Sequence, residues 1–225
     1  MNSNIESKQR RIRLQTGLLI AFCVFAAATC WGALYPKDLW LQHAPTVPAV
    51  VLLAWSIRRT ALSTLSFALL IAFFTLHVIG GRYIYSFVPY DQWAQDWLGV
   101  TVSQVTGWQR NHYDRLVHFS FGFLLAYPAR EILERLQLAR GIASRYFAVE
   151  FIIAAGALYE LGEWLVAITF APDWADRYLG QQGDIWDAQK DMALETAGAI
   201  IAIVMTHAMN PVASESQELG KRDLS

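Results

Sequence analysis

Six predominantly apolar runs, at about 14–35, 39–57, 60–80, 114–130, 146–170 and 187–208, leave this chain of 225 residues little length for anything except helices that cross a bilayer. At about 1.5 Å of rise per residue, roughly 20 residues cover the hydrocarbon layer, and each run reaches or approaches that length. In lipid a backbone has to satisfy its own hydrogen bonds, so the expected fold is all-α, a polytopic membrane bundle of about six spans. The fourth run is the weakest, because His118 stands early in it and Pro128, Arg130 and Glu131 close it, which predicts a short or tilted span. Pro45 and Pro48 predict a kink in the second. A basic segment at 1–13 precedes the bundle at 14–208, and a polar tail at 209–225, expected to be disordered, follows it. The basic start imitates a secretory signal, but the stretch from Leu14 to Tyr35 is longer than a signal core and no small-x-small cleavage site follows, so it is read as the first span.

Composition agrees: 55% hydrophobic and 16% charged residues are too apolar for a soluble domain of this length. A net charge of −1 without a long basic block gives no electrostatic footprint for nucleic acid. Cys23 and Cys30 lie two helical turns apart, too far to bridge, and are read as packing residues. No Ser, Thr or Cys stands in a triad-like arrangement with a histidine, so a serine-hydrolase mechanism has no support.

Orientation follows from Lys and Arg, which are retained on the cytoplasmic side. With the N-terminus inside, the inner face holds Lys8, Arg10, Arg11, Arg13, Arg58, Arg59, Arg130, Arg135, Arg140, Arg145, Lys221 and Arg222. The outer face then holds Lys37, Arg82, Arg110, Arg115, Arg177 and Lys190. This two-to-one ratio favours both termini inside. The outer connections, about 81–113 and 171–186, are rich in aromatic residues, among them Tyr83, Tyr85, Trp93, Trp97, Trp108, Trp174, Tyr178 and Trp186. Such rings form an interfacial belt, or a lid over a site.

Depth organises the ionisable residues. His77 lies three residues before the outer end of the third run, and Asp114, Arg115 and His118 open the fourth. Glu160 and Glu163 fall in the outer half of the fifth run, and Asp184, Asp187, Asp191 and Glu195 open the sixth, which starts at Asp184 or Asp187. Spacings of three and four residues put Asp114 with His118, Glu160 with Glu163, and Asp187, Asp191 and Glu195 on single helix faces. Stripes of this kind are costly against lipid, so they are expected to face one another in a pocket open to the outer side. The seven acids of these stripes outnumber their nearby cations, Arg115 and Lys190. Repulsion on that scale calls for protons or a divalent metal. A structural network that fixes helix register stays open beside that reading. His43, beside Pro45, is read as a packing or hydrogen-bonding residue.

Four blocks resemble the YjdF-like family of uncharacterised bacterial inner-membrane proteins: His77-x-x-Gly-Gly-Arg-Tyr-Ile-Tyr85 with Val88-Pro89 and Trp93; Tyr113-Asp-Arg-Leu-Val-His118-Phe119 with Gly122 and Arg130-Glu131; Tyr159-Glu-Leu-Gly-Glu-Trp164; and Gln182-Gly-Asp-Ile-Trp-Asp-Ala-Gln-Lys-Asp-Met192. That resemblance spans about residues 75–200 and implies a multi-pass inner-membrane protein, with no activity or cofactor to carry over. A looser similarity to VanZ-like membrane proteins rests on His118, on Glu160 with Glu163, and on Asp184 to Asp191, and departs where those proteins tend to have Gln and Asn in place of Glu163 and Asp191. It implies a connection with the cell envelope.

The expected chemistry is therefore that of an outer-leaflet protein acting on lipid or lipid-linked envelope-precursor headgroups, with membrane lipids as partners and a divalent metal as the cofactor it would use. His118, Glu160, Glu163, Asp184, Asp187 and Asp191 are the candidate metal ligands. His77, Asp114, Arg115, His118, Glu160 and Glu163 are the candidate catalytic groups, with Arg115 meeting a phosphate. The alternatives are a proton- or cation-coupled transporter, in which the same acids form a relay, and an accessory protein with a structural cluster.

Overall fold

The apolar runs fold as helices, and no strand occurs among the described residues of this computed structural model, which are 2–36, 39–59, 61–170 and 179–209. In chain order the helices are α1 (Asn2–Cys30), α2 (Leu39–Gln42), α3 (Thr46–Arg59), α4 (Thr64–Tyr83), α5 (Tyr90–Leu98), α6 (Val102–Thr106), α7 (Tyr113–Arg135), α8 (Ile142–Phe170) and α9 (Asp187–Met209). The predicted polar tail, Lys37, Trp174, Arg177 and Tyr178 lie outside the described residues.

Among the described residues, four stretches are long and apolar enough to cross a membrane: Ile5–Cys30, Thr64–Tyr83, Ile142–Thr169 and Asp187–Ala208. The two remaining expected spans differ from the sequence reading. The second is divided, because the chain turns at 43–45 between α2 and α3. Pro45 falls in that turn, and Pro48 in the first turn of α3, where a missing N–H leaves no bond unmade. The 14 residues of α3 reach only about 21 Å. The fourth run is longer than expected, since α7 passes through Pro128 and continues to Arg135. Packing overrides the proline: Ala126 and Ala129 are buried against Ala148 and Ile152 of α8 and Ala199, Ala202 and Ile203 of α9. The basic N-terminal segment is also helical, as an unbroken extension of α1.

Helix α7 is the centre of the bundle and packs on α4, α8 and α9, while α1 packs on α4 and α3. Small residues let α7 and α9 cross closely, which is how helices gain contact in lipid without a hydrophobic driving force. A Cβ on Gly122 would lie 1.8 Å from the Glu195 carbonyl oxygen, and one on Gly198 2.3 Å from that of Phe119. On the other side Phe22, Leu53, Ile57, Phe67 and Ile71 join α1, α3 and α4. Cys23 packs against this cluster, whereas Cys30 is exposed with its thiol 3.7 Å from His43 Nε2. Phe73, Tyr85, Val88, Tyr113 and Val117 join α4 to α7.

One end of the bundle is tied by Glu131. Its carboxylate accepts from Ser63 N at 2.7 Å, Ser63 Oγ at 2.6 Å, Ser66 Oγ, and Arg135 Nε at 2.6 Å, and so fixes the end of α7 to the start of α4. The buried Gln15 of α1 donates to the Leu62 carbonyl at 3.0 Å at the same level. Between α4 and α7 the short helices α5 and α6 carry exposed Trp97, Leu98 and Val105. They are linked by Asp91, which accepts from Ser103 N and Oγ at 3.0 and 2.6 Å.

Candidate functional site

At the end opposite Glu131, segments 107–113 and 179–187 knit into a cap. Arg110 forks onto Asp187 with Nη1–Oδ1 and Nη2–Oδ2 distances of 2.9 and 3.3 Å, and donates to the Gln181 carbonyl at 3.0 Å. Planar two-point contacts of this kind fix geometry as well as charge. Arg115 Nη2 reaches Asp184 Oδ2 at 2.5 Å and Asp187 Oδ1 at 3.3 Å, and Lys190 Nζ reaches Asp184 Oδ2 at 2.6 Å. Asn111 N donates to Gln182 Oε1 and Gln182 Nε2 to the Asn111 carbonyl, each at 3.0 Å. The Lys190 ammonium, helped by the Trp186 N–H and Arg115, holds the Asp184 carboxyl down at about 2, against a smaller opposing effect of burial.

Beneath the cap no such cation among the described residues pairs with the carboxylates. His118, on the buried face of α7, is 2.7 Å through Nδ1 from Glu195 Oε1 of α9. Its Nε2 is 3.5 Å from Asp114 Oδ1, one turn earlier on α7, and 3.7 Å from Glu160 Oε1 of α8. Asp191, one turn before Glu195 on α9, completes the group, and Asp114, His118 and Asp191 can each put one ligand atom within 4.8 Å of the others. Asp191 and Glu195 are each only 2% exposed. Glu195 fits because α8 has no side chain at Gly156, where a Cβ would fall 1.5 Å from its Oε2.

Three carboxylate oxygens of this cluster, Glu160 Oε1, Asp191 Oδ1 and Glu195 Oε2, are buried without a hydrogen-bond partner among the described residues. Buried acceptors of that kind are costly unless something pairs with them. A carboxylate on Nδ1 favours the tautomer with its proton there, which turns the Nε2 lone pair toward Asp114 and Glu160. Ligand atoms about 2.0–2.2 Å from a first-row divalent cation stand roughly 3–3.5 Å from one another; here His118 Nε2 lies 3.5 Å from Asp114 and the three ligand atoms lie within 4.8 Å, so binding would draw them together. Asp114, His118 and Asp191 are therefore the residues that could hold a divalent metal, with Glu195 orienting the imidazole and Glu160 beside them.

The sequence-derived candidates thus divide into three places. Asp114, His118, Glu160 and Asp191 come together, and Glu163 lines the same polar cavity of about 470 Å³, which extends beneath the cap past Asp187. Asp184, Asp187 and Arg115 belong to the ion pairs of the cap. His77 stands apart on α4, six residues before the helix end rather than three, with Nδ1 2.6 Å from Tyr85 Oη and Nε2 2.9 Å from the Gln42 carbonyl oxygen. Sequence reasoning missed Arg110 as the main partner of Asp187, because nothing local marks an arginine in a loop 77 positions away. It also left Glu195 among the stripe residues without a role; the four-residue step from Asp191 was the available signal.

Residues 14–211 match the family described as "Predicted membrane protein (DUF2238)". The chain is 37% identical over 172 residues to "Inner membrane protein YjdF" of Escherichia coli (strain K12), covering 76% of this chain and 78% of that protein. No solved structure matches. These matches carry the first of the two resemblances and do not bear on the looser one to VanZ-like proteins. With its apolar helices they make the chain an inner-membrane protein, and it belongs to the DUF2238 family of membrane proteins.

Proposed function

We propose that the cluster around His118 binds a divalent cation, and that the protein is a metal-assisted enzyme acting on the headgroup of a membrane lipid or lipid-linked envelope precursor. The observation that carries this reading is the set of buried carboxylate oxygens without partners around an imidazole already oriented by Glu195. A cation held there would polarise a phosphoryl or carbonyl oxygen, and Glu163, in the wall of the same cavity, is available to handle a proton. Arg115 keeps Nε without an acceptor, which a phosphate oxygen would supply. The distribution of Lys and Arg supports six spans with both termini inside, which turns the cavity toward the extracytoplasmic face.

A transmembrane relay is less well supported. No Asp, Glu, His, Lys or Arg occurs on α7 between His118 and Arg130, or on α9 between Glu195 and His207, so half the path would be dry. The test is reconstitution with phosphate-headed lipids and Mg²⁺, Mn²⁺ or Zn²⁺, with headgroups followed by mass spectrometry. A cation-dependent change in wild type that is lost in His118→Ala and Asp191→Asn supports the enzyme. Proton flux that falls in Asp191→Asn without any lipid change contradicts it in favour of a relay, and neither signal in folded protein leaves a structural cluster.

A further inference from the structure

A second cavity, of about 220 Å³, lies on the other side of His118 and has a different character. Its walls are mostly apolar, with Phe73 and Phe74 on α4, Val117, Phe121 and Leu125 on α7, and Ala155 on α8; His77, Tyr85 and Tyr159 add polar edges. His118 and Glu195 belong to its lining as well, so the imidazole–carboxylate pair stands between an apolar chamber and the acidic one. Both α4 and α8 pack on α7 and not extensively on each other, which leaves this slot along its side. Along α7 the lining runs from Val117 to Leu125, about 12 Å at 1.5 Å per residue. The chamber therefore runs from the carboxylate level toward the bilayer centre, the direction and depth of a hydrocarbon chain in the same leaflet.

We infer that this chamber holds one acyl chain of a phosphate-headed bilayer lipid whose polar end lies at the carboxylates beyond His118, so that the ligand is a membrane amphiphile gripped at the junction of its head and tail. This deepens the headgroup reading and rests on it for the identity of the polar end. Three features select this occupant. The mostly apolar wall favours a hydrocarbon chain over a polar ligand, a chamber within the spans of a membrane protein is filled by what the bilayer supplies, and the partition at His118 joins the chamber to an acidic cavity where a soluble apolar molecule would have nothing to place.

The experiment uses full-length protein in nanodiscs of phosphatidylglycerol carrying a diazirine on one acyl chain, with photoadducts mapped by mass spectrometry. The expected result is labelling on Phe73, Phe74, Phe121 or Leu125, reduced roughly tenfold in Ala155→Trp or, if that variant does not fold, in Ala155→Phe. His118→Ala should keep the labelling while losing bound metal. Labelling confined to outward positions such as Leu158 and Leu165, or unchanged when the chamber is filled, overturns the inference. Chamber labelling in a protein that binds no metal keeps the chain site and removes the metal-dependent headgroup chemistry, so the two can fail separately.

Discussion

At the residue scale the site is defined by which polar atoms have partners. The cap pairs its charges: Asp184 and Asp187 share Arg110, Arg115 and Lys190. Because Asp184 titrates at about 2 when folded and near 3.8 otherwise, its contribution is complete above about pH 4 and is lost as pH falls through about 2. Amide exchange of the 179–187 segment, corrected for intrinsic rates, should thus be the same at pH 7 and pH 4 and rise toward pH 2. In Asp184→Asn that rise should vanish. His77 behaves differently, since both ring nitrogens are engaged inside the protein. Tyr85→Phe leaves one of them buried and unpaired, and should destabilise the protein by about 1–3 kcal/mol in thermal or denaturant unfolding. Equal stability of the two proteins would mean that the hydrogen bond is not made.

At the scale of elements, the apolar runs were legible as helices because length and hydropathy are local properties. The interruptions were not. The turn at 43–45 and the passage of α7 through Pro128 depend on what each segment packs against, and proline alone predicts a break in both. The i,i+4 stripes were legible for the same local reason, and they placed Asp114 with His118 and Asp191 with Glu195 on single faces. What no stripe could show is rotation about the helix axes, which sends Asp187 to Arg110 in the cap and Asp191 to His118 beneath it. Close approach of α7 and α9 fixes that rotation. Gly122→Ala and Gly198→Ala insert a methyl group into opposing backbone and should each cost about 1–3 kcal/mol, read as a lower midpoint of unfolding in detergent. Ala at Gly99 or Gly141 would be a poor control, since both have positive φ; Gly17, with open space around its Cβ position, is the suitable one.

For the whole molecule, the asymmetry between its two ends is the organising fact. One end is closed by Glu131, Ser63, Ser66 and Gln15 in a hydrogen-bonded network. The other carries a salt-bridged cap over carboxylates that no Lys or Arg of the described residues pairs with. That division, with the bias of Lys and Arg toward the closed end, predicts that reporters fused after residue 140 remain cytoplasmic and reporters fused after residue 100 are exported. The reverse pattern would turn the acidic cavity toward the cytoplasm. The central claim is that this end of the bundle holds a divalent cation on Asp114, His118 and Asp191. Elemental mass spectrometry of detergent-purified wild type beside folded His118→Ala and Asp191→Asn tests it most directly. The account predicts near-stoichiometric metal in wild type and loss in both variants; wild-type protein that binds no metal, even after reconstitution with Zn²⁺, Mn²⁺ and Mg²⁺, would contradict it.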